Sequence, residues 1–155
     1  MLAEAYRNTH AVVHLEMDSI RARILPDAAH TREDRAVAYR AMHFTAERLL
    51  ELGHDVIVNA GYGHAEDRDE VIALTRRTGA ELYQVEFTVP LETALERNRK
   101  RRQQHPGLDL TDERVTDLVE NFPYTHAGLT IDSTWPIEDC LARLEHYINS
   151  KRPSG

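Results

Sequence analysis

Two acids, Glu16 and Asp18, close the short apolar run Val12-Val13-His14-Leu15, and Arg21 follows three residues after the second acid. A strand that ends in this way delivers its acid to the crevice outside the carboxyl ends of an α/β sheet, where ligands bind. An acid and a base one helical turn apart would then both face that crevice. The competing reading makes Asp18 the N-cap of a helix Ser19 to Leu25, with Glu16 and Arg21 merely solvated.

Three further groups could carry chemistry, two of them at strand ends and one on a helix. Asn59, Gly61, Gly63 and Arg68 follow the β-branched run Val56-Ile57-Val58, and Asp132, Ser133 and Thr134 follow Leu129-Thr130-Ile131. The last group is the cationic run Arg97, Arg99, Lys100, Arg101, Arg102. A run of this kind is often a solvated helix face. In a chain of net charge −7 it is also a candidate anion clamp, because the guanidinium fork suits phosphate oxygens and stabilises charge in phosphoryl transfer.

The elements that must carry these groups alternate. Met1 to Asn8 has Leu2, Ala5 and Tyr6 at helical spacing. Val12 to Leu15 is a strand, and Pro26-Asp27 breaks the helix after it. Thr31 is the expected N-cap of a long helix Arg32 to Leu52, with Asp34 at N3, Gly53 at C′, and Val37, Tyr39, Met42, Phe44, Leu49 and Leu50 as its apolar positions. A second strand at Val56–Val58 precedes a helix 66–78 stopped by Gly79. A third strand, Leu82 to Val89, ends at Pro90. The basic helix Leu91 to Gln104 stops at His105-Pro106-Gly107, and Thr111, Glu113 and Arg114 open a helix through Glu120. Phe122-Pro123-Tyr124 turns the chain into a fourth strand at Leu129–Ile131. Pro136 suits the N1 position of a last helix through Ile148, and 151–155 form a tail. Strands alternating with helices make βαβ units and a mostly parallel sheet, so the fold class is α/β.

With 155 residues, 41% hydrophobic and 29% charged, the chain is expected to form one globular domain over residues 1–150. Its acidity argues against general nucleic-acid binding, and no apolar run has membrane-spanning length. Neither the N-terminus, which lacks a signal-peptide core, nor the single Cys140 suggests export, so a cytoplasmic location is expected. The nine histidines offer no HExxH or other metal spacing, and Ser19 and Ser133 lack a nucleophile-elbow context. Cys140 reads as core of the last helix.

In order and spacing, the segments Leu15–Arg21, Leu52–Ala60, Arg68 with Thr78-Gly79-Ala80, Pro90–Arg101 and Ile131–Thr134 resemble P-loop kinases of the AAA_33 type. These include polynucleotide kinase 5′-domains, chloramphenicol phosphotransferase-like enzymes and zeta-toxin-like kinases. The resemblance implies a three-layer P-loop NTPase-like parallel sheet with helices on both faces. It implies ATP and Mg²⁺ as cofactors and a small-molecule, nucleoside or polynucleotide acceptor. It makes Asp18 the general base of a D-x-x-R element, and Arg21, Arg68 and Asn59 acceptor-side residues. Arg97 and Arg101 become lid arginines at the phosphates, and Asp132 and Ser133 line the nucleotide.

The departure from the pattern is the phosphate loop. No G-x-x-x-x-G-K-[ST] occurs; the first glycine is Gly53 and the first lysine Lys100. Met1-Leu2-Ala3-Glu4-Ala5 matches the helix that follows such a loop. The expectation is therefore a domain lacking its first, central strand and the Walker A loop, with a gap between the strands at Val12 and Leu82. Asn59 stands where relatives often have aspartate. Three readings follow: a kinase incomplete at its N-terminus, a pseudokinase-like binding module, or a phosphate-ester-binding or hydrolysing protein.

Overall fold

The computed structural model describes residues 2–27, 31–104 and 110–151; the expected helix stop at His105-Pro106-Gly107 and residues 152–155 of the tail lie outside the described residues. The chain divides into two compact units, Met1–Leu82 and Tyr83–Gly155. Its described residues form seven helices and four strands, all strand pairs parallel, as an α/β protein should.

The first unit runs α1 (Leu2–Thr9), β1 (Val12–Glu16), α2 (Met17–Ile24), α3 (Arg32–Glu51), β2 (Asp55–Asn59) and α4 (Ala65–Thr78). β1 and β2 pair from Val12↔Asp55 to Glu16↔Asn59, so their carboxyl ends finish level. Met17, Ala38, Tyr39 and Met42 are buried together, with Leu15, Ile20, Val58, Ala60 and Tyr62 packed on them. This cluster ties the start of α2, the middle of α3 and the loop after β2 to one apolar centre. α3 begins as expected: the Thr31 hydroxyl accepts from the Asp34 amide at 3.1 Å, closing the first turn. Gly53 and Gly79 end α3 and α4 at φ 84° and 70°, a left-handed conformation that costs other residues energy. Two arginines clip α3 to α4. Arg32 meets the buried Asp67 at 2.9 and 3.3 Å, and Arg77 reaches Glu47 and Glu70, each at 2.8 Å.

The buried face of α3 includes the expected Tyr39 and Met42 but not the expected Val37 and Phe44. Ala38, Tyr39, Met42, His43 and Ala46 are inside, whereas Val37 and Phe44 are 39% and 64% exposed. Phe44 instead carries the Arg48 guanidinium over its ring, 5.6 Å from the centroid.

The second unit runs β3 (Val85–Thr88), α5 (Leu91–Gln104), α6 (Asp112–Glu120), β4 (Leu129–Asp132) and α7 (Ile137–Lys151). β3 is shorter than the expected Leu82–Val89 and pairs with β4 from Val85↔Leu129 to Thr88↔Asp132. Pro136 stands just outside α7, its carbonyl accepting the first helical bond from Cys140, so it is the cap residue rather than N1. α7 continues past Ile148 to Lys151, and Cys140 is buried in it. Leu95, Val115, Ile131 and Leu144 are buried alongside Asn98, whose amide donates to the Leu110 carbonyl at 2.8 Å.

Glu86 on β3 fixes the loop that leads into β4. Its carboxylate accepts from the amides of Thr125 (2.8 Å) and His126 (2.9 Å), the Thr125 hydroxyl (2.9 Å) and the Gln84 amide (3.2 Å). Burial alone would raise its pKa, but these donors outweigh burial and hold it below the ordinary glutamate value. A lowered carboxylate contributes stability that is complete above its unfolded pKa and is lost as pH falls through the folded one. Glu86→Gln should therefore destabilise the second unit by about 1–3 kcal/mol at pH 7, with the gap to wild type closing below about pH 4. Denaturant melts of both proteins across this range measure it; a gap constant down to pH 3 would overturn the assignment.

Candidate active site

At the carboxyl edge of the first unit, β1 passes into α2 without a loop. Glu16 is the cap residue, with extended backbone at φ −116° and ψ 123°. The Ser19 hydroxyl donates to the Glu16 carboxylate at 2.5 Å, so Glu16 is engaged rather than solvated. Asp18 is the second residue of the helix and not its N-cap, where its charge meets the positive end of the helix dipole. Its side chain is 75% exposed, whereas that of Arg21 is 12% exposed, with Arg21 Nε 3.9 Å from Asp18 Oδ1. Arg21 Nε is buried without a hydrogen-bond partner. A carboxylate open to solvent beside a mostly buried guanidinium can receive a proton from an incoming hydroxyl without itself being withdrawn from water.

Asn59, half-buried at the end of β2, lies opposite Glu16 in the register. Beyond it, Tyr62 sits at φ 47° between two glycines, an uncommon conformation for an aromatic residue that costs about 1–3 kcal/mol. Three hydrogen bonds hold it there. Its amide donates to the Tyr39 hydroxyl (2.9 Å), its carbonyl accepts from Arg68 Nη1 (2.6 Å), and its hydroxyl shares a bond with His43 Nε2 (3.0 Å). The rings of Tyr39 and His43 lie 5.3 and 5.9 Å from that of Tyr62, the His43 ring parallel to it within 6°. Arg68 is thus anchored by one nitrogen to the loop at the strand end.

Tyr39 and His43 carry roles that the sequence reading missed: Tyr39 counted only as an apolar position, and His43 only among histidines unable to bind metal. Their signal was the one-turn spacing of two polar-tipped rings on a helix face that also holds Met42 and Ala46. Burial pushes both tyrosine hydroxyls above their ordinary pKa and His43 below its own, against the pull of Glu70 and Asp67. The unfolded chain then binds a proton that the folded state refuses, so stability is full above about pH 6.5 and declines as pH falls below it. His43→Asn should flatten the decline between about pH 6.5 and 5.5, read as denaturation midpoints; an equally steep decline would remove His43 as its source.

In the second unit, the loop after β4 is organised by Asp132, whose Oδ1 accepts from the Thr134 hydroxyl (2.7 Å) and amide (2.8 Å). The Thr134 hydroxyl and amide, with the charge of Arg97, hold this carboxyl below its usual value. Arg97 donates through Nη1 to the Ser133 hydroxyl (3.0 Å) and through Nη2 to the Ser133 carbonyl (2.9 Å). Arg97, Asp132 and Ser133 therefore come together. Beside them, Arg143 stacks on Trp135 at 4.3 Å. Along the basic run, Arg99 and Arg102 bond to Asp112 and Lys100 to Glu96, while Arg101 is exposed and makes no ion pair among the described residues.

Among the described residues no three His, Cys, Asp or Glu side chains gather to hold a metal ion, and none of the helices is long and apolar enough to cross a membrane.

No curated protein matches the sequence. Solved structures do. A “putative kinase” from Chloroflexus aurantiacus superposes with a TM-score of 0.77 at 17% identity, over 94% of this chain and 89% of that one. The Mycobacterium tuberculosis APS kinase CysC, solved with AMPPNP and APS, gives 0.68 at 17% identity, over 96% and 86%. A sugar kinase from Janibacter sp. HTCC2649 gives 0.65 at 14% identity, over 96% and 86%. At these identities the shared property is the fold, that of P-loop kinases. The AAA_33 model, an AAA domain, matches residues 1–124, and the chain belongs to that family.

Proposed function

We propose that this protein is an ATP-dependent phosphotransferase acting on a hydroxyl of a small molecule, nucleoside or polynucleotide. The observation that carries the reading is the end of β1: a carboxylate, 75% exposed, on the first turn of the helix that leaves the strand, with Arg21 3.9 Å away. In this reading Asp18 accepts the proton of the acceptor hydroxyl as the hydroxyl oxygen bonds to the γ-phosphorus of ATP and the bond from that phosphorus to the β,γ-bridging oxygen breaks, releasing ADP. Arg21 and Arg68 hold the acceptor, with Asn59 beside them at the end of β2. Phosphoryl transfer is mainly positioning and neutralisation of charge, which one base and several arginines supply. In the second unit, Arg101 is free to meet phosphate oxygens, Arg97 would do so in exchange for Ser133, and Asp132 and Ser133 shape the nucleotide loop. ATP, when bound, supplies the phosphoryl group. The described residues do not by themselves assemble a Mg²⁺ site, so no role is assigned through the ion.

A second reading, a pseudokinase-like binding module, is favoured by one observation: the 155 residues contain no G-x-x-x-x-G-K-[ST] sequence to cradle phosphates. The deciding experiment is a transfer assay with γ-labelled ATP against small hydroxyl compounds, nucleosides and 5′-hydroxyl oligonucleotides. It is run on this chain and on any longer reading frame that contains it. Label transfer to one acceptor class supports the kinase. Acceptor binding by calorimetry with no transfer from either protein supports the binding module, and phosphate release from a phosphorylated substrate without ATP would overturn both.

A further inference from the structure

The basic run of α5 is largely committed within the molecule. Arg99 donates to Asp112 Oδ2 through Nε (2.9 Å) and Nη2 (2.7 Å), and Arg102 donates to Asp112 Oδ1. One carboxylate at the start of α6 thus receives three charge-assisted hydrogen bonds from two guanidinium groups. Their bonding holds its pKa below the usual aspartate range, Arg99 contributing most. Among the described residues these charges do not balance: two cations face one monoanion. The arginine side chains remain 56% and 35% exposed, so solutes can reach them. A phosphate-type polyanion would match both guanidinium forks better than a single carboxylate does.

We propose that Asp112 is an autoinhibitory counter-ion. It occupies the guanidinium groups of Arg99 and Arg102 and so masks two of the four arginines of α5's basic run from polyphosphate ligands until it is displaced or neutralised. The proposal deepens the phosphotransferase reading, since it rests on α5 meeting phosphate, and it concerns arginines to which that reading gives no role.

The test is calorimetric titration of the whole chain with inorganic tripolyphosphate at low salt. It involves no phosphoryl transfer, so a failed transfer screen and a failed titration are separate results. Asp112→Asn should bind about tenfold more tightly than wild type, the gain expected from freeing charge-assisted donors. Adding Arg99→Gln and Arg102→Gln to that variant should return the affinity to the wild-type value. Glu113→Gln makes the same charge change on the neighbouring residue, which is exposed, and should leave affinity within twofold of wild type. Equal affinity for Asp112→Asn and wild type, or an equal gain from Glu113→Gln, would overturn the proposal. If Asp112→Asn does not fold, the wild-type background decides. Masked arginines contribute little, so Arg99→Gln with Arg102→Gln should change affinity less than twofold; a tenfold loss would mean they already bind and would overturn the masking.

Discussion

Asp18→Asn is expected to lower kcat for phosphorylation of the acceptor hydroxyl by about 10²–10⁴, with nucleotide binding little changed. Asparagine keeps the shape of the side chain and a hydrogen-bonding oxygen but cannot take a proton. The change therefore acts on the transition state and leaves ground-state contacts nearly intact. Its structural cost is small, because a carboxylate that is 75% exposed in the first turn of a helix contributes about 0.3–1 kcal/mol through the helix dipole. The measurement is kcat and KM for the acceptor and Kd for ATP, made on the protein and acceptor that the transfer assay identifies. A companion change, Arg21→Lys, separates the two members of the element. It keeps the charge but not the fork, and should raise KM for the acceptor more than it lowers kcat. An unaltered kcat for Asp18→Asn would take Asp18 out of the base role, whatever the fold.

How much of this was legible in the sequence depends on which signals act locally. The Thr31 cap, the stops at Gly53 and Gly79 and the start of α6 at Thr111 were readable because each is decided within a turn or so of backbone. The face of α3 was legible only in part. Tyr39, Met42, His43 and Ala46 follow one another at three, one and three residues, a complete helical stripe. Val37 and Phe44, seven apart, form a second stripe on roughly the other side of the helix. Apolarity alone merged the two stripes, taking Tyr39 and Met42 from one and Val37 and Phe44 from the other, and it passed over His43, whose hydrogen bond to Tyr62 is made 19 residues away. The fate of the basic run was equally invisible: Asp112 and Ser133, which hold three of its arginines, lie 10 to 36 residues distant. The strand-end acids and arginines could be named from residue type, but their partners came only with the fold.

Gly128 is where long-range placement should have its largest effect on stability. It precedes β4, at the point where the Leu129 amide donates to the Gln84 carbonyl at 2.9 Å and the β3–β4 ladder begins. A Cβ built at Gly128 would stand 2.1 Å from that same oxygen, 2.8 Å from the Gln84 carbonyl carbon and 2.9 Å from Gln84 Cβ. Two of these three atoms are backbone, so no rotamer change relieves the clash. Moving Gln84 away breaks the first bond of the ladder, and moving residue 128 works against the bonds by which Glu86 holds Thr125 and His126. Gly128→Ala should therefore cost about 3 kcal/mol or more, the upper end for overpacking. Gly61→Ala provides the contrast: its new methyl meets only the Tyr39 hydroxyl, at 4.0 Å, and should change stability by less than about 1 kcal/mol. Denaturation midpoints and amide exchange of β3 and β4 measure both changes. A wild-type midpoint for Gly128→Ala would mean that the two strands do not meet at Gln84 as described.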